Sequence, residues 1–478
     1  MEFEPVIGLE VHSELSTNSK IFCGCSTQFG SKPNTQMCPV CMGLPGVLPV
    51  LNKKAMEYSV RIALALNCKI TEFTKFDRKN YYYPDLPKNY QISQQYNCLG
   101  RNGCLKINVN GVEKNIGINN VHLEEDAGKL LHPEIPGADY SLVDLNRTGV
   151  PLIEIVSEPD MRSLDEMMAY MVTLKNLLQY IEVSDCKMQE GSLRFEINVS
   201  VRPKGITELG KKVEIKNLNS MKIAMKAAEY EIVRQSKIIQ KGGEVDQETR
   251  LWDDEKFITK TMRSKEESKD YRYFPEPDLV TIHITKEWQE EIKRKLPELQ
   301  LAKKERFVRQ FQIPQYDAEI LTSNKYLADY YESANNVYDA PKKISNWIMT
   351  EVLRELNERE IEVDDFKIKP NQLATLIKLI DDNVISGKIA KTVFPIMVET
   401  GKDPEDIIKE KELVQITDES QIREIANKII QANPKPVKDY KGGKEKSFGF
   451  LVGQMMKETK GKANPEVLNK ILKEELSK

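Results

Sequence analysis

The chain has 478 residues, 40% apolar and 30% charged, and its 70 Lys and Arg against 73 Asp and Glu leave a formal charge of −3. These figures exclude a disordered chain and a uniformly basic nucleic-acid binder, and no run approaches the roughly 18 consecutive apolar residues of a membrane-spanning helix. At about 100 to 200 residues per domain, the length predicts two to four domains. The acidic opening Met1-Glu-Phe-Glu-Pro5 does not resemble a secretory signal, so a cytoplasmic location is the expectation. In a reducing compartment, close pairs among the eight cysteines point to metal rather than to disulfides.

From the start to about residue 290, Gly, Asn and Pro cut the sequence into short runs of period two, the mark of half-buried strands. In Val6-Ile-Gly-Leu-Glu-Val-His-Ser-Glu14, alternation places Ile7, Leu9 and Val11 on one face and Glu10, His12 and Glu14 on the other. Next come Cys23-Gly-Cys25 and Cys38-Pro-Val-Cys41, two close thiol pairs among Gly, Pro and Ser. Such pairs offer four sulfurs tetrahedrally to Zn²⁺, and a site closed by four thiolates is structural because no position is left for substrate. Cys68, Cys98, Cys104 and Cys186 are scattered and read as buried or idle thiols.

The segment Phe76 to Ser93 is dense in Tyr, Lys and Arg and broken by two prolines. It suits stacking on bases and holding phosphates through Lys79 and Lys88, or ordinary loop packing. Asp270-Tyr-Arg-Tyr-Phe-Pro-Glu-Pro-Asp278 has the same character. Val121 to Gly128, if extended, brings His122, Glu124 and Asp126 to one face with Glu125 opposite. Leu193 to Arg202 sets Arg194, Glu196, Asn198 and Arg202 outward from an apolar face. Converging carboxylates repel unless a cation or Arg lies between them, and hard oxygen ligands favour Mg²⁺. From spacing alone the cluster is a Mg²⁺ site or a hydrated sheet face with charge pairs.

Two helices interrupt this region. Ser163-Leu-Asp-Glu166 is a capping box followed by the stripe Met167, Met171, Leu174, Leu178 and Ile181, and a second helix runs from about Ser220 to Lys241, stopped by Gly242-Gly243. From Trp288 onward the periodicity is helical, as in Ile344 to Leu356, Leu373 to Ile380 and Ile422 to Ile430, with a polar joint at Lys409 to Glu412 and Thr417 to Glu419. The expected class is α+β: a sheet-rich domain over 1–290, a helical domain over 291–410 and a helical tail over 411–478. From Lys435 on, the tail carries 11 Lys against 6 Asp and Glu, a face that can follow a phosphate backbone or remain a solvated Lys-rich helix. Asn464-Pro465 is an Asn cap with Pro at the first helical position. Phosphate-binding Gly-Lys-Ser/Thr loops, dinucleotide glycine fingerprints and nucleophile elbows are absent from the sequence.

Seven stretches together resemble the B-subunit family of the glutamyl/aspartyl-tRNA amidotransferases. They are Val6-Ile-Gly-Leu-Glu-Val-His12, Lys79-Asn-Tyr-Tyr-Tyr-Pro-Asp-Leu-Pro-Lys88, Glu124-Glu-Asp-Ala-Gly-Lys129, Asp144-Leu-Asn-Arg-Thr-Gly-Val-Pro-Leu-Ile-Glu-Ile-Val156, Glu214-Ile-Lys-Asn-Leu-Asn-Ser220, Asp270 to Asp278 and Gly453 to Pro465. The resemblance implies a cradle-like kinase and transamidase domain, a helical domain and a tRNA-binding tail. It implies a carbon–nitrogen ligase with glutamine as amido-nitrogen donor, converting Glu-tRNA(Gln) to Gln-tRNA(Gln) and Asp-tRNA(Asn) to Asn-tRNA(Asn), or one of the two. In this family ATP phosphorylates the side-chain carboxylate and ammonia attacks the acyl phosphate.

Carried over by position, Glu10, His12, Glu124 and Glu125 are the first candidates for Mg²⁺, with Glu154, Glu190 and Glu196 behind them. Lys79, Lys88, Arg147, Arg194 and Lys216 are candidates for ATP or the acyl phosphate, and Lys446, Lys457, Lys460 and Lys462 for tRNA. Where the family commonly has Glu-Glu-Gly-Ser-Leu-Arg-Cys-Asp-Ala-Asn, this chain has Gln189-Glu-Gly-Ser-Leu-Arg-Phe-Glu-Ile-Asn198, so Gln189 loses a carboxylate and Glu196 holds one on a longer arm. The chain carries no glutaminase signature, so the expected partners are the family's glutaminase, its A subunit, which releases ammonia, and the small C subunit. The competing reading is a non-enzymatic zinc-containing protein that binds tRNA or assists assembly.

Overall fold

The computed structural model describes residues 2–133, 139–264, 270–414, 418–459 and 463–477. The period-two runs of the first region assemble into one nine-stranded sheet. Its strand order is Ile258–Ser264, Glu248–Asp253, Val213–Lys216, Leu193–Pro203, Phe3–Glu14, Pro151–Ser157, Val112–Glu125, Gly100–Val109 and Lys69–Ile70. The first strand in sequence therefore lies fifth of nine. It pairs antiparallel with Leu193–Pro203 on one side and Pro151–Ser157 on the other.

Alternation decides what each face meets. Ile7, Leu9 and Val11, with Phe195, Ile197, Val199, Ile153, Ile155, Val121 and Leu123, form one buried core with the helices Lys53–Ala65, Leu164–Tyr180 and Met221–Gln240. The expected stripe Met167, Met171, Leu174, Leu178 and Ile181 is fully buried. Ser163 caps its helix by accepting from Glu166 N. The reciprocal half of the expected capping box differs. The Glu166 carboxylate accepts from Arg162 N at 2.6 Å and from Lys114 Nζ at 2.8 Å, because the lysine draws it one residue further back. Ser220 caps the second helix through Ile223 N, and Gly242 follows its end at φ +76°.

The chain divides into two compact units, Met1–Leu299 and Gln300–Lys478. The first helix of the helical stretch, Lys286–Arg294, belongs to the first unit, because Trp288 and Ile292 pack into its core. The second unit holds two separate apolar clusters, one from Phe307 to Ile408 and one from Ile422 to Leu476. Within the first, the stripe Ile344, Ile348, Val352 and Leu356 repeats every fourth residue, a spacing that drifts about 40° per step on an α-helix of 3.6 residues per turn. A π-helical turn at Ile348–Val352, between Pro341–Trp347 and Leu353–Arg359, under-winds the chain and keeps all four side chains buried. In the second cluster, Asn464 Oδ1 accepts from Glu466 N and Val467 N to cap Pro465–Ser477. Thr417 lies outside the described residues. Among the described residues, no helix is long and apolar enough to cross a membrane.

Leu9 is fully packed at the centre of the sheet, whereas Ser220 stands at a helix end. Leu9→Ala is expected to cost about 2–5 kcal/mol and Ser220→Ala about 0.5–2 kcal/mol. Urea denaturation followed by far-ultraviolet circular dichroism checks the ranking, and equal losses would contradict it.

Candidate active site and metal centre

The face of the sheet turned away from the core carries the charged residues, and the register places them in rows. Arg194 is opposite His12, His12 opposite Glu154, and Glu154 opposite His122, so one row crosses four adjacent strands. A neighbouring row sets Glu196 opposite Glu10, and another aligns Glu14, Leu152 and Glu124. Paired residues in antiparallel strands share a face a few ångströms apart. Seven acids and imidazoles are thereby crowded onto one surface.

Side-chain contacts tie the rows together. His12 Nε2 is 3.3 Å from Glu154 and 3.8 Å from Glu124, and His122 Nε2 is 3.2 Å from Glu154 and 3.6 Å from Glu124. Asn120 Oδ1 lies 2.9 Å from His122 Nδ1, and Ser93 Oγ donates to Glu124 at 3.0 Å. Asn198 Nδ2 donates to Glu10 at 2.9 Å. Lys216 pairs with both Glu196 and Glu214. The surrounding cleft, about 530 Å³, also takes in Lys79, Tyr81, Asp126, Arg194, Tyr271 and Tyr273.

The electrostatics follow from this crowding. Burial works against charge on Glu154, yet the flanking His122 and His12 hold its carboxyl well below the usual range. Burial likewise opposes charge on His122, but Glu154 and Glu124 keep it well above the ordinary imidazole value. Burial together with Glu154 and Glu196 pushes Glu10 up, against the hydrogen bond from Asn198. Glu14 is raised to about 8 by burial and by the adjacent Asp126, against the pull of Arg194 and Arg147. Lys79 is held protonated: burial disfavours its charge, but Glu124, Tyr273, Glu154 and Tyr81 together outweigh it, and the ammonium lies 5.0 Å from the Tyr271 ring centre.

Two donor sets on this face suit a cation. His12, Glu124 and Glu154 can bring ligand atoms within 4.8 Å of one another, and so can Glu10, Glu196 and Glu214. Oxygen and imidazole donors of this kind match hard or borderline divalent ions. A third set is chemically different. Cys23, Cys25, Cys38 and Cys41 also place their sulfurs within 4.8 Å of one another. Cys41 Sγ accepts from Cys38 N at 3.1 Å and lies 3.7 Å from the Nζ of the fully buried Lys20. A hydrogen bond from Cys23, the Cys38 backbone and the Lys20 ammonium together hold the Cys41 thiol down at about 4.

Of the candidate residues, Glu10, His12, Glu124, Glu154, Glu196, Lys79, Arg194 and Lys216 meet in the one cleft. Arg147 stands at its margin, 3.6 Å from Asp126 and donating to the Ala127 and Gly128 carbonyls. Glu125 and Lys88 are not part of it. They form an ion pair at 2.5 Å between the buried Glu125 and the half-buried Lys88, and Glu125 also accepts from Ile92 N, beside a pocket lined by Cys23, Cys41 and Lys20. The Lys88 stem lies against Gly43, where φ is +66° and a Cβ would collide with it. Glu190 sits in a turn facing Lys187 at 3.5 Å, outside the cleft lining. Lys446 and Lys457 lie at the two ends of the helix Lys446–Glu458, whereas Lys460 and Lys462 lie outside the described residues.

His122 and Asp126, grouped with Glu124 by alternation but not among the candidates carried over by position, complete the cleft together with Glu214. The signal for Glu214 is alternation in Val213–Lys216, which puts it on the same face as Lys216. Tyr271 and Tyr273 arrive from a distant segment, and their placement beside Lys79 depends on Phe274–Pro275 pairing with Asp77–Asn80.

Residues 5–290 match the GatB/GatE catalytic domain, and residues 329–476 match the GatB domain. The chain is 62% identical over 478 residues to the B subunit of the aspartyl/glutamyl-tRNA(Asn/Gln) amidotransferase of Caldanaerobacter subterraneus subsp. tengcongensis, covering 100% of both chains. It is 58% identical over 478 residues to the protein of the same name from Carboxydothermus hydrogenoformans, covering 100% of this chain and 99% of that one. The similarity to a protein of that name from Moorella thermoacetica is 55% over 476 residues, again covering 100% of both. With catalytic and helical regions both matched and relatives aligned end to end, the chain belongs to the GatB family, the B subunits of the tRNA-dependent aspartyl/glutamyl amidotransferases.

Proposed function

We propose that the cleft phosphorylates the side-chain carboxylate of Glu or Asp esterified to a mischarged tRNA, using ATP, and holds the acyl phosphate for attack by ammonia. The row Arg194–His12–Glu154–His122, set among further carboxylates and beside Lys79 and Lys216, carries this reading. A carboxylate is a poor electrophile, and phosphorylation gives it a leaving group. The transfer gathers negative charge, so catalysis consists of positioning and charge compensation.

The residues divide that work by chemistry. Lys79, Arg194 and Lys216 supply fixed positive charge, each buttressed by an acidic neighbour or an aromatic ring. His12, Glu124 and Glu154, with Glu10, Glu196 and Glu214, are the fitting holders for Mg²⁺. When bound there, Mg²⁺ offsets charge on the transferring phosphoryl group. The four cysteines suit a structural Zn²⁺ that fixes the loop between the first strand and the first helix. Ammonia comes from a glutaminase, the A subunit, in complex with the small C subunit, since the chain has no glutaminase motif of its own. The helical tail, with Lys446 and Lys457, takes the tRNA.

Three outcomes are expected. Glu154→Gln in the reconstituted complex lowers ATP-dependent amidation by about 10²-fold or more while complex assembly and glutamine hydrolysis persist; wild-type amidation by the variant would remove the metal assignment. Elemental analysis of the purified chain finds one zinc per polypeptide, and Cys38→Ser loses it and melts at a lower temperature. A metal-free wild-type chain of unchanged stability would end the zinc reading. Deletion of residues 411–478 raises KM for aminoacyl-tRNA and flattens its salt dependence; unchanged values would place tRNA capture elsewhere.

A further inference from the structure

A second cleft adjoins the carboxylate site. It measures about 570 Å³ and is lined by Asn80, Tyr81, Tyr82, Asn89, Arg272 and Phe274. The two clefts are divided by alternation along two segments. Lys79 and Tyr81, with Tyr271 and Tyr273, line the carboxylate site, whereas Asn80, Tyr82, Arg272 and Phe274 line the second cleft. Tyr81 borders both.

The cleft is built on paired backbone. Phe274 pairs with Arg78 across the small sheet, and Arg78 is fixed by two bonds to the buried Glu276 at 2.7 and 2.9 Å. Asn80 Nδ2 donates to the Arg272 carbonyl at 2.8 Å, and Asn80 N donates to the Tyr271 carbonyl at 2.9 Å. Arg272 N donates to Asp270 Oδ1 at 3.0 Å, and Arg272 is held at φ +41°, a conformation that non-glycine residues rarely adopt. Into this frame project two rings that water reaches: Tyr82 is 79% exposed and Phe274 44%.

Two aromatic faces, a guanidinium and two side-chain amides in one cleft match the needs of a nucleoside. The rings stack on a base, the amides meet its polar edge, and the guanidinium meets ribose-linked phosphate. A purely apolar ligand would leave the arginine and Asn89 without a role, whereas Asn80 already ties the frame through the Arg272 carbonyl. We infer that the Tyr82–Arg272–Phe274 cleft binds the adenosine of a substrate whose reacting end enters the neighbouring carboxylate site. The inference rests on the proposed function, in which both substrates carry an adenosine: ATP, and the 3′-terminal nucleotide of the aminoacyl-tRNA.

The test uses the full chain reconstituted with its partner subunits, carrying Tyr82→Ala, Phe274→Ala, Arg272→Gln or Tyr82→Phe, with circular dichroism confirming the fold. KM is measured separately for ATP and for aminoacyl-tRNA, and binding is compared for tRNA ending in CCA and tRNA truncated to CC. Tyr82→Ala and Phe274→Ala are expected to raise one KM about 5- to 150-fold, the range that base–aromatic stacking supplies, with kcat little changed and Tyr82→Phe close to wild type. A rise confined to ATP assigns the cleft to ATP. A rise confined to aminoacyl-tRNA, with loss of the preference for CCA over CC, assigns it to the tRNA end. Both KM values within twofold of wild type for the alanine variants overturn the inference, as does a Tyr82→Phe variant as impaired as Tyr82→Ala. A wild-type complex that consumes no ATP and forms no amide overturns the proposed function instead, whatever the variants bind.

Discussion

Everything at the cleft follows from one electrostatic constraint: acids packed side by side on a sheet face must be neutralised by something equally close. Glu154 lies between two imidazoles, Asp126 between Arg147 and Arg194, and Glu196 and Glu214 share Lys216. Burial and like charges a few ångströms away raise a carboxyl's proton affinity, as burial with Glu154 and Glu196 does for Glu10 and burial with Asp126 does for Glu14. The acids outnumber the fixed positive charges that reach them, an excess that suits an added cation. A face of this kind is costly to keep unless the strands carrying it cannot move.

The strands are held by the opposite face. Ile7, Leu9 and Val11 are buried, so a slip of one residue in Phe3–Glu14 would push Glu10, His12 and Glu14 into the core and expose the three apolar side chains. The same alternation pins Leu193–Pro203 through Phe195, Ile197 and Val199, and Pro151–Ser157 through Ile153 and Ile155. Hydrophobic burial on one side thus fixes, to within a residue, which charges meet on the other. The geometry of the charged cluster is a by-product of register, and the register is secured by apolar packing on the opposite face.

This division explains what was legible in the sequence. Periodicity reports which face a residue occupies, so Glu10, His12, Glu124 and Arg194 could be grouped from alternation alone, and the paired cysteines announced themselves by spacing. Periodicity does not report which strands become neighbours. Glu214 belongs to the cluster because its strand pairs with Leu193–Pro203, and Tyr271 and Tyr273 join because a distant segment pairs with Asp77–Asn80. Glu125 is the complementary case. Its position opposite Glu124 along the strand was evident, but only the fold shows that Lys88 and Ile92 N await it on that side. The π-helical turn at Ile348–Val352 was signalled by a strict spacing of four, which an α-helical reading absorbs without notice.

The small sheet of Asp77–Asn80, Tyr90–Ser93 and Phe274–Pro275 applies the same rule to the rim of the cleft. Odd and even residues of a single segment serve two clefts, so Lys79 and Asn80, adjacent in sequence, face different surroundings. A substitution that bent this segment would disturb both at once. Arg78 guards against that: its two bonds to Glu276 and its stacking 4.2 Å over the Tyr90 ring tie the three strands together. The charged interior and the aromatic rim are therefore joined through paired backbone, which sets a fixed separation between the residues we propose for the phosphoryl group and those we propose for a base. That fixed separation is what a reaction governed by positioning requires.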